Sequence, residues 1–185
     1  MNTADHLKTA NPKKVFVVHG RNEKVKREVF AFLRAIGLSP IPWEKAVREA
    51  SSSSPYIGEV LEVMLREAQA VVVLLTGDDE ARLISSEFLI EDEKDKQYFS
   101  LHYRPRPNVV FEAGMAFSAW QADRTILVEV GEVRICQALT GRNRIKLSNR
   151  MKHRWQFANS LQAAGCAVNI PSLERLREIG NFNFK

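Results

Sequence analysis

Cysteine is scarce in this sequence, with only Cys136 and Cys166 among 185 residues. Two thiols cannot form a disulfide framework or complete a thiolate metal site, so no metal is expected and a reducing compartment is the default. Long apolar runs are missing as well. The longest uninterrupted one is Ala70 to Leu75, whereas crossing a bilayer takes roughly 20 residues. The N-terminus lacks the apolar core of a secretion signal. Together these absences predict a cytoplasmic protein without a membrane partner. Phosphate-cradling glycine loops are absent too: neither Gly-x-Gly-x-x-Gly nor Gly-x-x-x-x-Gly-Lys-Ser/Thr occurs. That argues against an ordinary dehydrogenase or a P-loop enzyme. No internal repeat is present.

The chain does hold enough apolar material for one domain with a substantial core: 45% hydrophobic residues against 26% charged ones, an ordinary globular balance. Its net charge of +5 is unevenly spread. Between Arg134 and Arg154 there are seven basic residues and no acid, whereas Glu87, Glu91, Asp92, Glu93 and Asp95 crowd a short acidic stretch. A basic block of this kind can bind nucleic acid. No reading-head motif with interleaved aromatics accompanies it, however. A solvated face, or a contact with the acidic stretch of a neighbouring copy, accounts for it better, and nucleic acid is not the expected partner.

Along the chain, residues 1–13 are polar and unpatterned and read as a flexible N-terminal tail, leaving 14–185 as the domain. Val15 to Val18 is a β-branched strand ending in His19-Gly20-Arg21. Asn22 caps a helix with Val25, Val29, Phe32, Leu33 and Ile36 at helical spacing, stopped by Gly37. Pro40 and Pro42 make the next segment an edge strand. Glu44 to Ser54 reads as a loop, and Ser54-Pro55 as a helix start. Ala70 to Leu75, bounded by turn residues, fits a strand buried on both faces; it ends in Thr76-Gly77-Asp78-Asp79. Glu80 to Tyr103 is charged and irregular, with room for one short helix. Further strands are expected at Arg124–Val130 and Arg144–Leu147, then a helix from Met151 to Ala164 and a short one near Leu173 to Ile179. Strands alternating with helices predict an α/β fold, a flavodoxin-like open parallel sheet with helices on both faces. In such sheets the ligand site lies outside the carboxyl ends of the strands.

The organising stretch is Arg106 to Gly114. Asn108 reads as an N-cap, and Val109 to Trp120 as a buried helix carrying a single ionisable side chain, Glu112. Near the positive end of the helix dipole its ionised form is expected to be favoured, which suits it to stabilising a cation. Acidic residues near helix starts usually only help the helix, so position alone does not decide a role.

The segments Val15–Glu23 (Val-Phe-Val-Val-His-Gly-Arg-Asn-Glu), Val72–Asp79 (Val-Val-Leu-Leu-Thr-Gly-Asp-Asp) and Arg106–Gly114 (Arg-Pro-Asn-Val-Val-Phe-Glu-Ala-Gly) resemble the bacterial TIR-like domains. These were once labelled predicted nucleotide-binding proteins, and are found as TIR effectors in Pycsar and STING-type anti-phage systems. The likeness covers about residues 14–182, with Asn-Val-x-Phe-Glu-x-Gly its most specific element. The chain departs from the pattern at Gly77, Ala113 and Met115, and in its longer, more charged stretch before Tyr103.

The resemblance implies a TIR-like fold and an NAD⁺ glycohydrolase in which NAD⁺ is substrate and no cofactor is needed. Because nicotinamide leaves as a neutral ring without a proton, one carboxylate can suffice where ordinary glycosidases use two. Glu112 would steady the oxocarbenium-like transition state. His19, Gly20 and Arg21 would bound the nicotinamide-ribose side, and Trp43 or Tyr56 would stack on a base. Arg21, Arg104 or Arg106 would reach a phosphate, and Asp78, Asp79 and Asn108 complete the expected substrate-binding set. The family also implies self-assembly through the stretch 44–54 and an activating sensor domain or partner protein. Weak activity is therefore expected of the isolated chain. Two alternatives stay open: a nucleotide-binding or scaffolding module without turnover, and a nucleoside deoxyribosyltransferase-like enzyme, which shares the topology and a site glutamate.

Overall fold

The computed structural model describes residues 10–49, 56–82 and 101–184. Its centre is a five-stranded, all-parallel sheet in the order β2-β1-β3-β6-β7. The strands are β1 (Asn11–Val18), β2 (Ser39–Pro42), β3 (Ala68–Thr76), β6 (Thr125–Val130) and β7 (Arg144–Leu147). This is the flavodoxin-like order, in which the chain first adds β2 on one side of β1 and then crosses to the other side.

Each strand's place follows from its residues. β3 is apolar along almost its whole length and lies at the centre, buried on both faces. β2, with two prolines that cannot donate to a ladder, lies at an edge. β1 starts at Asn11, where it pairs with Ala68, so the expected tail gives up residues 11–13 to the sheet. Exposed there but paired through backbone, they carry no apolar signal.

Helices cover both faces. On one side α1 (Glu23–Ala35), α6 (Met151–Ala163) and α7 (Leu173–Glu178) enclose Val15, Val17, Val72, Leu74 and Val128. On the other, α2 (Trp43–Glu49), α3 (Ile57–Glu67), α4 (Pro107–Arg124) and the single turn α5 (Gln137–Thr140) cover Phe16, Val18, Val71, Val73, Leu75 and Leu127. Asn22 caps α1 through its side chain (3.1 Å to the Val25 amide), and Gly37, at φ 83°, ends it.

Several expectations require correction. Residues 43–49, read largely as loop, form α2, because Trp43, Ala46 and Val47 give it an inward stripe. β4 (Asp79–Ala81) and β5 (His102–Arg104) pair antiparallel in what read as an irregular stretch. The expected helix start at Ser54-Pro55 lies outside the described residues, and the cap of α3 is Tyr56. Helix α4 begins with Pro107, preceded by Arg106 as cap, so Asn108 is already inside the first turn.

Two buried arginines tie the ends together. At the end of α4 the backbone breaks at Gln121, whose φ of 61° is a region that only glycine adopts without strain. The chain then turns into β6, and Arg124 donates to the carbonyls of Gln69 and Ala68 beneath it. On the opposite face Arg154 donates to the carbonyls of Leu176 (3.1 Å), Ile179 and Gly180 (2.6 Å) and to Asn149 Oδ1 (3.1 Å). Its guanidinium also lies over the Phe182 ring. Among the described residues, no helix is long and apolar enough to cross a membrane.

Candidate functional site

The ends of β1 and β3 meet at the point where the sheet's strand order reverses, and Asp78 joins them. Its carboxylate accepts the Arg21 amide (3.2 Å) and the Thr76 hydroxyl (3.0 Å). Gly20 passes so close that an added Cβ would stand 1.6 Å from an Asp78 oxygen. Glycine is needed here for approach, since its backbone is not in the left-handed region. The Asp78 amide donates to the Arg104 carbonyl (3.1 Å), which carries the β4–β5 ribbon along with the same junction. His19, Gly20, Arg21, Asp78 and Asp79 are thus assembled at one mouth from segments 57 residues apart.

His19 is enclosed, with a side chain only 8% exposed. Its Nδ1 donates to the Gly20 carbonyl (2.9 Å), which fixes that proton and turns Nε2 toward Glu44, 3.8 Å away. Among the described residues, the buried Nε2 has no hydrogen-bond partner. Glu44, on the first turn of α2, also meets Lys26 (3.2 Å). Burial pulls the Glu44 carboxyl upward, but its own backbone amide, Lys26 and His19 together hold it below the ordinary carboxylate range. Reading the sequence missed Glu44 because it sits in a stretch taken for loop.

Glu112 lies in the second turn of α4, half-buried. Val109, Ala113, Ala116 and Trp120 form the helix's fully buried stripe, and Glu112 stands on the shoulder of that stripe. Met115, one turn further along the same shoulder, reaches toward α3, where a Cβ added at Gly58 would stand 3.9 Å from its methyl. Among the described residues nothing hydrogen-bonds the Glu112 carboxylate. Burial pushes its pKa up to about 7, partly opposed by the nearby Arg106 cation. The expected dipole effect is therefore overturned. The helix starts at Pro107, two residues earlier than the expected Val109, so Glu112 falls beyond the turn where the dipole acts, and desolvation dominates.

The remaining candidates are less concentrated. Trp43 is half-buried and commits its ring to Phe16, 5.8 Å between centroids, so it packs against the core. Tyr56 is 80% exposed at the cap of α3. Arg106 and Asn108 flank the start of α4, and Asn108 is exposed. Cys166 is buried, and burial pushes its thiol up to about 11, which leaves it unreactive. Among the described residues no group of His, Cys, Asp and Glu is placed to hold a metal.

A parallel sheet of this order, helix-covered on both faces, with its loops gathered at the β1–β3 switch point, defines a flavodoxin-like domain of TIR type. The chain belongs to the family of CAP12/Pycsar effector protein TIR domains, whose model matches residues 14–149. Helices α6 and α7 lie beyond that match. The chain is also similar to the protein tirC of Dictyostelium discoideum, 29% identical over 117 residues, 63% of this chain and 52% of that protein. The uncharacterized protein YuaY of Escherichia coli (strain K12) is 26% identical over 129 residues, 70% of this chain and 38% of that protein. The chain thus spans about half or less of the length of these relatives.

Proposed function

We propose that this domain is an NAD⁺ nucleosidase of anti-phage defence, breaking the bond between nicotinamide and ribose, with Glu112 as the group that steadies the ribosyl cation. The observation that carries the proposal is a single carboxylate, half-buried and unbonded among the described residues, on the α4 shoulder facing α3. In the free protein its pKa of about 7 leaves it poised between its two states. A positively charged nicotinamide ring brought beside it favours the anion, by the same electrostatics that Arg106 exerts weakly. The substrate thereby recruits the charged form that its own transition state needs. As the glycosidic bond lengthens, positive charge moves from the ring to the ribose, and a carboxylate in a partly desolvated place stabilises it more than water would. The nicotinamide departs with the bonding electron pair as a neutral base, and water completes the exchange.

His19, at the β1–β3 switch point, would offer a second polar group to the substrate. Its Nδ1–H is committed to the Gly20 carbonyl and its Nε2 is buried, so a donor on the substrate would reach Nε2 only once the mouth opens. Arg21 and Arg106 supply cations for phosphate oxygens. Self-assembly, and an activating sensor domain or partner protein, would bring the domain into its working state.

Release of free nicotinamide from NAD⁺ by the purified chain, measured across protein concentration, tests the proposal. Glu112→Gln should lower release by about 100- to 1,000-fold while leaving the fold intact. Saturable NAD⁺ binding without product, even in associated samples, would overturn the enzymatic reading in favour of a binding module.

A further inference from the structure

A cavity of about 360 Å³ lies where β6 begins and residues 141–143 lead into β7, between the end of α4 and the last turns of α6. Because the five strands run parallel, this is the end of the sheet remote from the β1–β3 switch point. Phe117 and the buried Ile126 and Ile145 form its apolar lining, and Asp123, Arg142 and Ser160 add polar groups. A volume of this size suits a small molecule. The wall supplied by α6 lies beyond residues 14–149, so the cavity is completed by a helix outside the family match.

Its two charges are opposite and unspent. The Arg142 guanidinium lies over the Phe117 ring, 4.6 Å from the centroid. That contact uses the face of the guanidinium and leaves the N–H groups along its edge for an acceptor. Among the described residues the Arg142 side chain has no hydrogen bond or ion pair. Asp123 follows directly on the break of α4 at Gln121, so that strained turn sets where its carboxylate stands. It forms no ion pair among the described residues, and its charge acts only on the adjoining Arg124. Opposite charges that line one cavity without meeting each other match a ligand that carries both signs. We propose that the cavity binds a free α-amino acid with an apolar side chain. Its carboxylate sits on Arg142, its ammonium on Asp123, and its side chain against Phe117, Ile126 and Ile145. The Ser160 hydroxyl serves either polar end. The proposal goes beyond the reading of Glu112 and does not depend on it.

Amide NMR spectra of the nitrogen-labelled full chain, titrated with leucine, read the outcome without NAD⁺, so failure here is distinguishable from failure of the enzymatic reading. The amides of 122–127 and 141–145 should shift saturably, while those of 18–21 and 76–79 stay in place. Arg142→Gln and Asp123→Asn should each raise the Kd for leucine about tenfold or more, the effect of losing a charged hydrogen bond. Two analogues then assign the ends of the ligand. N-acetyl-leucine, which has no ammonium, should bind wild type and Asp123→Asn equally, and leucinamide, which has no carboxylate, should bind wild type and Arg142→Gln equally. Ser160→Phe should fill the cavity and abolish the shifts. Thermal unfolding at the wild-type temperature confirms that each variant is folded; where Ser160→Phe fails that check, the charge variants and analogues decide. No saturable shift with leucine, methionine or phenylalanine overturns the proposal. So do analogues that bind as tightly as leucine, charge variants with wild-type affinity, and shifts confined to the switch-point loops.

Discussion

The two faces of the sheet treat a buried charge in opposite ways. Under α6 and α7, Arg154 is 1% exposed and spends its donors on three carbonyls and one side-chain amide. On the α2–α5 side, Glu112 is taken partly out of water with no hydrogen bond among the described residues and a single cation nearby. The first charge is largely used by the fold, with only its Nε–H left without a partner among the described residues. The second is left with unspent capacity, and its raised pKa is the sign of that. The contrast shows how to tell a charge that builds a structure from one kept available for something the structure does not contain.

Four experiments break or sharpen the contrast. Arg154→Ala should be the most costly to the fold, about 3 kcal/mol or more, since several buried carbonyls lose a charged donor at once; chemical denaturation measures it. Glu112→Gln should lower kcat/KM by about 100- to 1,000-fold, the usual loss of a preorganised electrostatic group, while Arg154→Lys should act through stability alone. In the wild type, kcat/KM should fall about tenfold per pH unit below the free-protein pKa of about 7. The acid limb of kcat should lie lower, because bound substrate favours the anion. The smallest effect is on stability. A carboxyl whose pKa rises on folding contributes fully below its unfolded value near 4.5 and loses that contribution as pH rises through about 7. Glu112→Gln should therefore stabilise the fold at pH 8, by about 1–2 kcal/mol after discounting solvent screening at a half-buried site, and confer no gain at about pH 3, below the unfolded value. Equal unfolding curves at both values would show that Glu112 is as well solvated as any surface acid.

Much of this architecture is legible in the sequence where residue type and position carry the same message. The β3 run of valines and leucines announces a central strand, the prolines of β2 an edge, and Asn22 and Gly37 the two ends of α1. The start of α4 was legible too, but by a different rule: proline favours the first helical position, which points to Pro107 and makes Asn108 a poor choice of cap. What stays hidden depends on distance. Arg154 reaches carbonyls 22 residues or more further on, and backbone acceptors leave no mark on a side-chain pattern. The three-residue strands β4 and β5 pair across a long charged separation, so no periodicity betrays them. At the site, the carboxylate could be singled out because it is the one charge between Val109 and Trp120. Its protonation behaviour could not, since burial depends on which shoulder of α4 it occupies. Glu44 was missed for the same reason, since its value comes from His19 and Lys26 on other elements.

Asp78 also sets the mechanics of the mouth. Because one carboxylate grips the Arg21 amide and the Thr76 hydroxyl, with Gly20 pressed against it, the loops leaving β1 and β3 move as a single jaw. Movement of one loop therefore carries the other, and the β4–β5 ribbon with it through the bond from the Asp78 amide to the Arg104 carbonyl.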